Sequence, residues 1–405
     1  MCSSDLDAGH ALLDAITVEH RLQPFSRDYF APPGADTPLF TYAREWRDSL
    51  QPAATDEGTV SVALPLLAWD QPLTLRQLAD FLKDPARSFL RLRLGVYFET
   101  PDPASEDHEP FALDALQNWQ LQDELIAAQV EALRHDTPRE AALQAGLARI
   151  GRRGDLAGGH FAALMQAQLA EPMADLFGRY AEALARWPLV PDAEEDIAFT
   201  HSVAGATLAV VDRLADVRRD AMGARGRVVL ESSSLIKDRK YQRDKLLRHW
   251  VAHLAGHLGG EPLVSEIVSK TGGVVLPALD VASAREHFCA LIEAWHAGLC
   301  RPLPLAAKSG LAWLEKGGRT ETPLASAAGD AARTAYEGDG YHSAGERGDS
   351  AYLLRAWPDF DALWGDGEFA RLAETLLRPL YAAVGSAKAG RSDAPDAAAA
   401  PGAEA

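Results

Sequence analysis

The chain has 405 residues, 47% of them hydrophobic, with 40 basic against 58 acidic side chains and a formal net charge of −18. Length and apolar content support two domains or one large one with a packed core, and the charge excludes a surface coated throughout for nucleic acid or anionic membrane, leaving room for a local basic patch. Cys2, Cys289 and Cys300 form neither a disulfide framework nor a metal-ligand cluster, and no apolar run reaches the ~18 residues that span a bilayer, so a reduced, cytoplasmic protein without membrane attachment is expected.

The N-terminus, MCSSDLDAGH, has neither the basic start nor the apolar core of a signal peptide and enters a helix-like pattern abruptly, which predicts the C-terminal part of something longer. Residues 1–68, with HRLQPFSRDYF, then Pro32, Pro33 and Gly34, then LFTYAREW, read as extended segments broken by a turn. They form a strap, or the remnant of a preceding domain. Residues 69–155 read as helical and lead into a core at 156–314. Thr74 is a helix N-cap, Leu75, Leu78, Leu82, Phe89 and Leu92 keep one apolar face, and Pro85 should break the helix near Lys83 and Asp84. An acidic loop follows, ETPDPASEDHEPF, whose acids before Pro110 and Phe111 are placed to cap a second helix carrying Leu116, Trp119, Leu121, Leu125 and Ile126.

The chain is organised around residues 207–257, which read as strand, turn, strand, charged connector and helix. Residues 208–217 are mostly apolar, MGARG supplies a turn, and Val228, Val229 and Leu230 give the second strand. Leu246, Leu247, Trp250, Val251, Leu254 and Leu258 then recur at helical spacing. EIVSKTGGVVLPALD suggests two more strands around Gly272 and Gly273, and residues 283–299 an amphipathic helix with Phe288, Leu291, Ile292, Trp295 and Leu299. The region 315–384 reads as a loop and C-terminal helices: residues 317–350 have the composition of a mobile loop, helix returns at Ala351, and 385–405 form a disordered tail.

Metal-dependent nucleases hold Mg²⁺ between carboxylates on neighbouring strands, because a hard cation takes oxygen ligands. Asp216 and Glu231 have that spacing, which is similar to the Asp, gap, acid-any-Lys pattern of the restriction-endonuclease-like nucleases. The Lys position is Ser233, which supplies no cation; Lys237 is the nearest Lys. The reading is a nuclease-shaped hairpin without chemistry, with an active Mg²⁺-dependent nuclease using Asp216, Glu231 and Lys237 as the alternative. Between residues 218 and 248 ten cations meet four acids; Arg218, Arg225, Arg227, Lys237, Lys240 and Arg243 are the candidates for DNA binding, against a plain solvated face. His249, His253 and His257 share a helix face, but a metalloprotease needs Glu where Trp250 stands, so they read as the polar edge of a packed helix. Ser234 with Lys237, and Lys270-Thr271-Gly272, match two serine-acylase motifs by chance, since order and spacing fail. No Gly-Lys-Ser/Thr occurs, so there is no P-loop.

The run LTLRQLADFLKDPARSFLRLRLGVYFE followed by DHEPFALDALQNWQL strongly resembles the C-terminal region of the exodeoxyribonuclease V gamma-subunit (RecC) family. LAGGHFAALM, LIEAWHAGLCRPLPL and the final WPDFDALW and LLRPLY extend the likeness over nearly the whole chain. The resemblance implies an α/β (α+β), restriction-endonuclease-like core of PD-(D/E)XK type with flanking helices and no catalytic residues: Asp216, Glu231 and Ser233 are degenerate positions. It also implies work with a helicase-nuclease beta subunit and a helicase alpha subunit in double-strand-break repair, splitting the duplex and guiding its strands. ATP and Mg²⁺ then belong to those partners and no cofactor to this chain. Consistent with lost catalysis, Ala162 and Ala163 stand where active relatives place a His after Gly158-Gly159, and the helix after Glu231 lacks their Gln and Tyr. A purely structural, protein-binding scaffold is the third reading. Trp46, Trp69, Trp119, Trp295, Trp313, Trp357 and Trp364, spread along the chain, suggest apolar surface completed on another subunit.

Overall fold

The computed structural model describes residues 69–98, 112–191, 194–340 and 343–385, with short stretches at 12–13, 16–23, 25–30, 37–43 and 63–65. The chain divides into two units, Met1–Val62 and Ala63–Ala405. Among the described residues the first unit forms no strand; Leu12, Leu13 and Ile16 are helical, and Arg27–Phe30 is a 3₁₀ turn. Local polar contacts hold it: Tyr29 Oη accepts from the Arg21 N–H at 2.8 Å, and Arg21 pairs with Asp28 at 2.5 Å. The strap's turn at Pro32, Pro33 and Gly34, and Trp46, lie outside the described residues, as do the acidic loop at 99–111 and the tail beyond Gly385.

In the second unit the helix ends follow their caps. Helix α1, Leu75–Lys83, starts at a reciprocal capping box between Thr74 and Gln77 and buries Leu78, Phe81 and Leu82. It stops at Asp84, whose side chain accepts the Arg87 N–H and so restarts the chain as Pro85–Ser88, with Pro85 where its missing N–H costs nothing. Helix α2, Ala115–Arg134, is capped by Asp114 and Gln117, while the acids before Pro110 lie outside the described residues. With α3, Arg139–Arg153, α4, His160–Ala170, and α5, Met173–Arg186, it surrounds a core of Leu125, Ile150, Leu169 and Leu176.

Strands β1, Glu195–Val203, and β2, Ala206–Leu214, form an antiparallel hairpin, turning at Ala204 and Gly205, both with positive φ. The chain bends at Asp216, φ 64°, before β3, Val217–Arg219. Residues 208–217 are therefore not one strand, as expected, but two pieces: the left-handed residue breaks the extended run, and β2 pairs with β1 rather than with the strand after MGARG. The main sheet has the order β3-β4-β7-β8, with β4 Arg225–Glu231, β7 Leu263–Ser269 and β8 Gly272–Leu276. Only β4 and β7 are parallel, and helix α6, Leu247–Gly256, makes the crossover between them. A two-residue hairpin of β5, Ile236–Lys237, and β6, Lys240–Tyr241, precedes α6.

Alternation along the strands sorts side chains between two cores. Leu263 and Ile267 belong to a large core with α1, α6, the β1–β2 hairpin and the C-terminal helices, whereas Val228 and Val268 belong to the core of α2–α5. Helix α7, Val281–Gly298, is capped by Asp280 and α8 spans Ala307–Glu315. Residues 317–350 are not a loop throughout. Ser326 caps helix α9, Ala327–Glu337, which buries Ala328, Ala332 and Tyr336. Its small residues permit close packing: a Cβ at Gly329 would lie 1.8 Å from the Leu324 carbonyl oxygen. Several tryptophans are internal, whereas Trp119 and Trp357 are only half-buried. Trp295 and Trp313 are fully buried, Trp69 packs edge-on to Trp295, and Trp364 edge-on to Trp313.

Candidate functional site

Glu231 ends β4 with its side chain on the α6 side of the sheet, 3% exposed. Both carboxylate oxygens are used. Oε1 accepts the Ser233 N–H at 2.9 Å, and Oε2 accepts from Arg248 Nη2 at 2.5 Å and from His249 Nε2 at 2.9 Å. Burial alone would raise this carboxyl; the His249 hydrogen bond, the Arg248 charge and the Ser233 N–H outweigh it and hold it at about 2. The cation that Ser233 fails to supply on the strand therefore arrives from the first turn of α6, as a guanidinium locked onto the acid. A carboxylate so occupied has no oxygen facing an open position for a metal. Among the described residues no three His, Cys, Asp or Glu side chains gather into a group able to hold one.

Asp216 stands elsewhere. Its backbone carbonyl accepts the Val228 N–H at 3.2 Å, and its carboxylate lies 3.5 Å from Arg134 on α2. Val228 points into the α2–α5 core. Asp216 thus finds its partner on α2, while Glu231 finds its partners on α6 and at Ser233, and the two share none. Lys237, on the exposed β5–β6 hairpin, contacts neither acid by any hydrogen bond or ion pair of the described residues.

The candidate DNA-binding cations do not form one face. Arg225 is buried, paired with Glu195 and donating to the carbonyls of Gly256 and Glu261 at 2.9 Å. Arg227 donates to Ala215 O at 3.1 Å, and its Nη1 is buried without a partner. Arg218 donates to Trp187 O at 2.7 Å. Lys240 pairs with Glu315 at 2.7 Å, and Arg243 stacks 4.3 Å from the Tyr381 ring centroid. Sequence counting treated these residues as one basic surface, whereas Arg225 and Arg227 point inward because alternate positions of β4 face α6.

The three histidines are not a polar edge but are buried along α6. His253 Nε2 donates to Pro277 O at 3.1 Å and its Nδ1 accepts from Ser265 Oγ at 2.9 Å. His257 Nδ1 donates to His253 O at 2.8 Å, leaving Nε2 to accept the N–H groups of Leu263 and Leu279. These bonds assign the neutral tautomers. Burial lowers all three, His253 to about 3 with the neighbouring His257 adding to the effect. For His249 burial wins over the Glu231 carboxylate beside it, so the contact is a neutral N–H donating to an anion.

Residues 70–318 match a family model described as the RecC C-terminal domain. The chain belongs to that family. Among curated proteins, RecBCD enzyme subunit RecC of Escherichia coli (strain K12) is 27% identical over 301 residues, 74% of this chain and 24% of the relative. RecBCD enzyme subunit RecC of Haemophilus influenzae is 31% identical over 113 residues, 27% of this chain and 10% of the relative. The chain spans about a quarter or less of the length of these relatives. As a RecC C-terminal domain it carries within the matched residues the whole β3-β4-β7-β8 sheet and the crossover helix that closes off Glu231. No described helix is long and apolar enough to cross a membrane. Arg248 is the residue that sequence reasoning missed here. It had been counted only as one of the basic run, and no spacing rule links it to an acid 17 positions earlier.

Proposed function

We propose that the chain is the non-catalytic DNA-handling and subunit-binding part of a RecBCD-type helicase-nuclease complex that processes double-strand breaks for homologous recombination. It would help to split the duplex and guide the separated strands, with the helicase-nuclease beta subunit and the helicase alpha subunit as partners and with ATP and Mg²⁺ used by them. The element order supports a restriction-endonuclease-like core: a helix, α5, then β1, β2 continued as β3, then β4, a crossover helix, and β7 parallel to β4. The observation that carries the loss of catalysis is the Glu231 site, saturated by Ser233, Arg248 and His249.

The expected result is that the purified chain, given Mg²⁺ and linear or single-stranded DNA, releases no acid-soluble nucleotide, and that Ser233→Lys does not restore cleavage. A Lys on the strand would meet an acid already paired with Arg248, and Asp216 would still face Arg134. Mg²⁺-dependent degradation that disappears in Glu231→Gln would overturn this and return the nuclease of Asp216, Glu231 and Lys237. Partner binding is read by co-purification with the two helicase subunits; a chain that captures neither counts against the assembly.

A further inference from the structure

The segments after β4 and β7 and the start of α2 border an open cleft of about 370 Å³, lined by Trp119, Ser233, Ser234, Lys245 and Lys270 together with Ala115 and Leu116. Lys270 is half-buried and donates to Gln122 Oε1 at 2.7 Å; Lys245 reaches the Ser234 carbonyl at 3.3 Å. Among the described residues neither ammonium group is in an ion pair. Two acids on the adjoining segments are committed, Asp114 to capping α2 and Glu231 to Arg248, while Asp244 stands beside Lys245 on the same turn. Arg179, donating to Ser269 O at 3.1 Å and Lys270 O at 2.8 Å, adds a third cation held on backbone carbonyls at the same end of the sheet. Burial lowers the Lys270 ammonium, and the charge of Lys245 lowers it further. Holding two like charges around one concavity is unfavourable unless an anion sits between them.

We infer that this cleft is a phosphate subsite for a single DNA strand, with Lys245 and Lys270 holding one backbone phosphate and Trp119 offering an aromatic surface to the adjoining sugar or base. The inference rests on the DNA-handling reading above and joins Lys245, from the basic run that the sequence suggested, to Lys270, which lies outside it. Phosphate held by ammonium groups beside serine hydroxyls is sequence-independent recognition, and stacking on tryptophan tolerates any base.

The test is fluorescence anisotropy of the full chain with a labelled oligothymidylate over a salt series. For the Lys245→Gln, Lys270→Gln double variant we expect affinity to fall roughly tenfold or more and the slope of log affinity against log salt to shrink by about 0.7 to 1, the contribution of one phosphate on a single strand. Lys245→Arg with Lys270→Arg should retain most of both, which separates lost charge from lost fold. Strands with and without a 5′-phosphate distinguish an end phosphate from an internal one. An unchanged affinity and slope in the double Gln variant, with DNA still bound, overturns the subsite alone; loss in Lys237→Gln, Arg239→Gln would then move the contact to the β5–β6 hairpin. A wild-type chain that binds no strand at all would overturn the DNA-handling reading and the subsite with it.

Discussion

Trp187→Ala should lower the unfolding free energy by about 3–5 kcal/mol, among the largest effects of any single substitution in this chain. Trp187 follows α5 and is 8% exposed, and its ring lies so close over β4 that a Cβ on Gly226 would be 2.2 Å from it. Its Nε1 donates to Glu266 Oε1 at 2.8 Å, while Arg186 grips the same buried carboxylate from Nε at 3.1 Å and Nη2 at 2.5 Å. Truncation opens a ring-sized cavity between helix and sheet and removes one donor from a carboxylate that cannot reach water. Trp187→Phe keeps most of the apolar contact and should cost only about 1–3 kcal/mol for the missing donor. Urea unfolding of the three proteins decides it, read as a shift in midpoint at constant slope. A loss below about 1 kcal/mol for the alanine variant would mean that α5 is not fastened to the sheet at this point.

The second large effect is acid sensitivity between neutrality and about pH 5. His249, His253 and His257 have folded-state values below the ordinary ~6.5, His253 at about 3. As pH drops below ~6.5 the unfolded chain takes up protons that the native chain refuses, so stability falls by up to about 1.4 kcal/mol per pH unit for each histidine. Glu231 works in the same direction lower down: its stabilisation is complete above the usual carboxylate range and is lost as pH falls toward about 2. Asp84 and Glu346, raised by burial, act with the opposite sign and offset part of the slope. The informative quantity is therefore a difference. His253→Gln should reduce the pH dependence by about one proton's worth between pH 6.5 and 5, measured by urea unfolding at several pH values. An identical dependence in the two proteins would show that His253 titrates normally.

What was legible in the sequence was what local chemistry decides. Thr74 with Gln77, and Pro85 after Asp84, mark helix ends because the donors they satisfy lie within four residues. Three of the four strands of the main sheet, β4, β7 and β8, and the crossover helix were visible in apolar runs, whereas β3, Val217–Arg219, was not. Asp216 was misplaced because nothing in its neighbours announces a left-handed residue, and one such residue turns a long strand into two with different partners. Composition alone also misread residues 327–337, although Ala328, Ala332 and Tyr336 keep the four-residue spacing of a buried face. At the site itself, the replacement of Lys by Ser233 was readable, and with it the expectation of lost catalysis. That Arg248 occupies the acid was not, because the pair forms only once the crossover folds α6 back along β4.

The histidine ladder has a consequence for how the molecule opens. Along its length α6 is bonded to the end of β4 through His249, to β7 through His253 and His257, and to the segment after β8 through Pro277 and Leu279. No strand of this group can separate from the helix without stranding a buried imidazole. Amide protons of β4, α6 and β7 should therefore exchange as one cooperative block, in a single slow class, while the β5–β6 hairpin that hangs between β4 and α6 frays on its own. A strand-guiding surface would then have a rigid floor beneath a short, separately moving finger that carries Lys237 and Arg239.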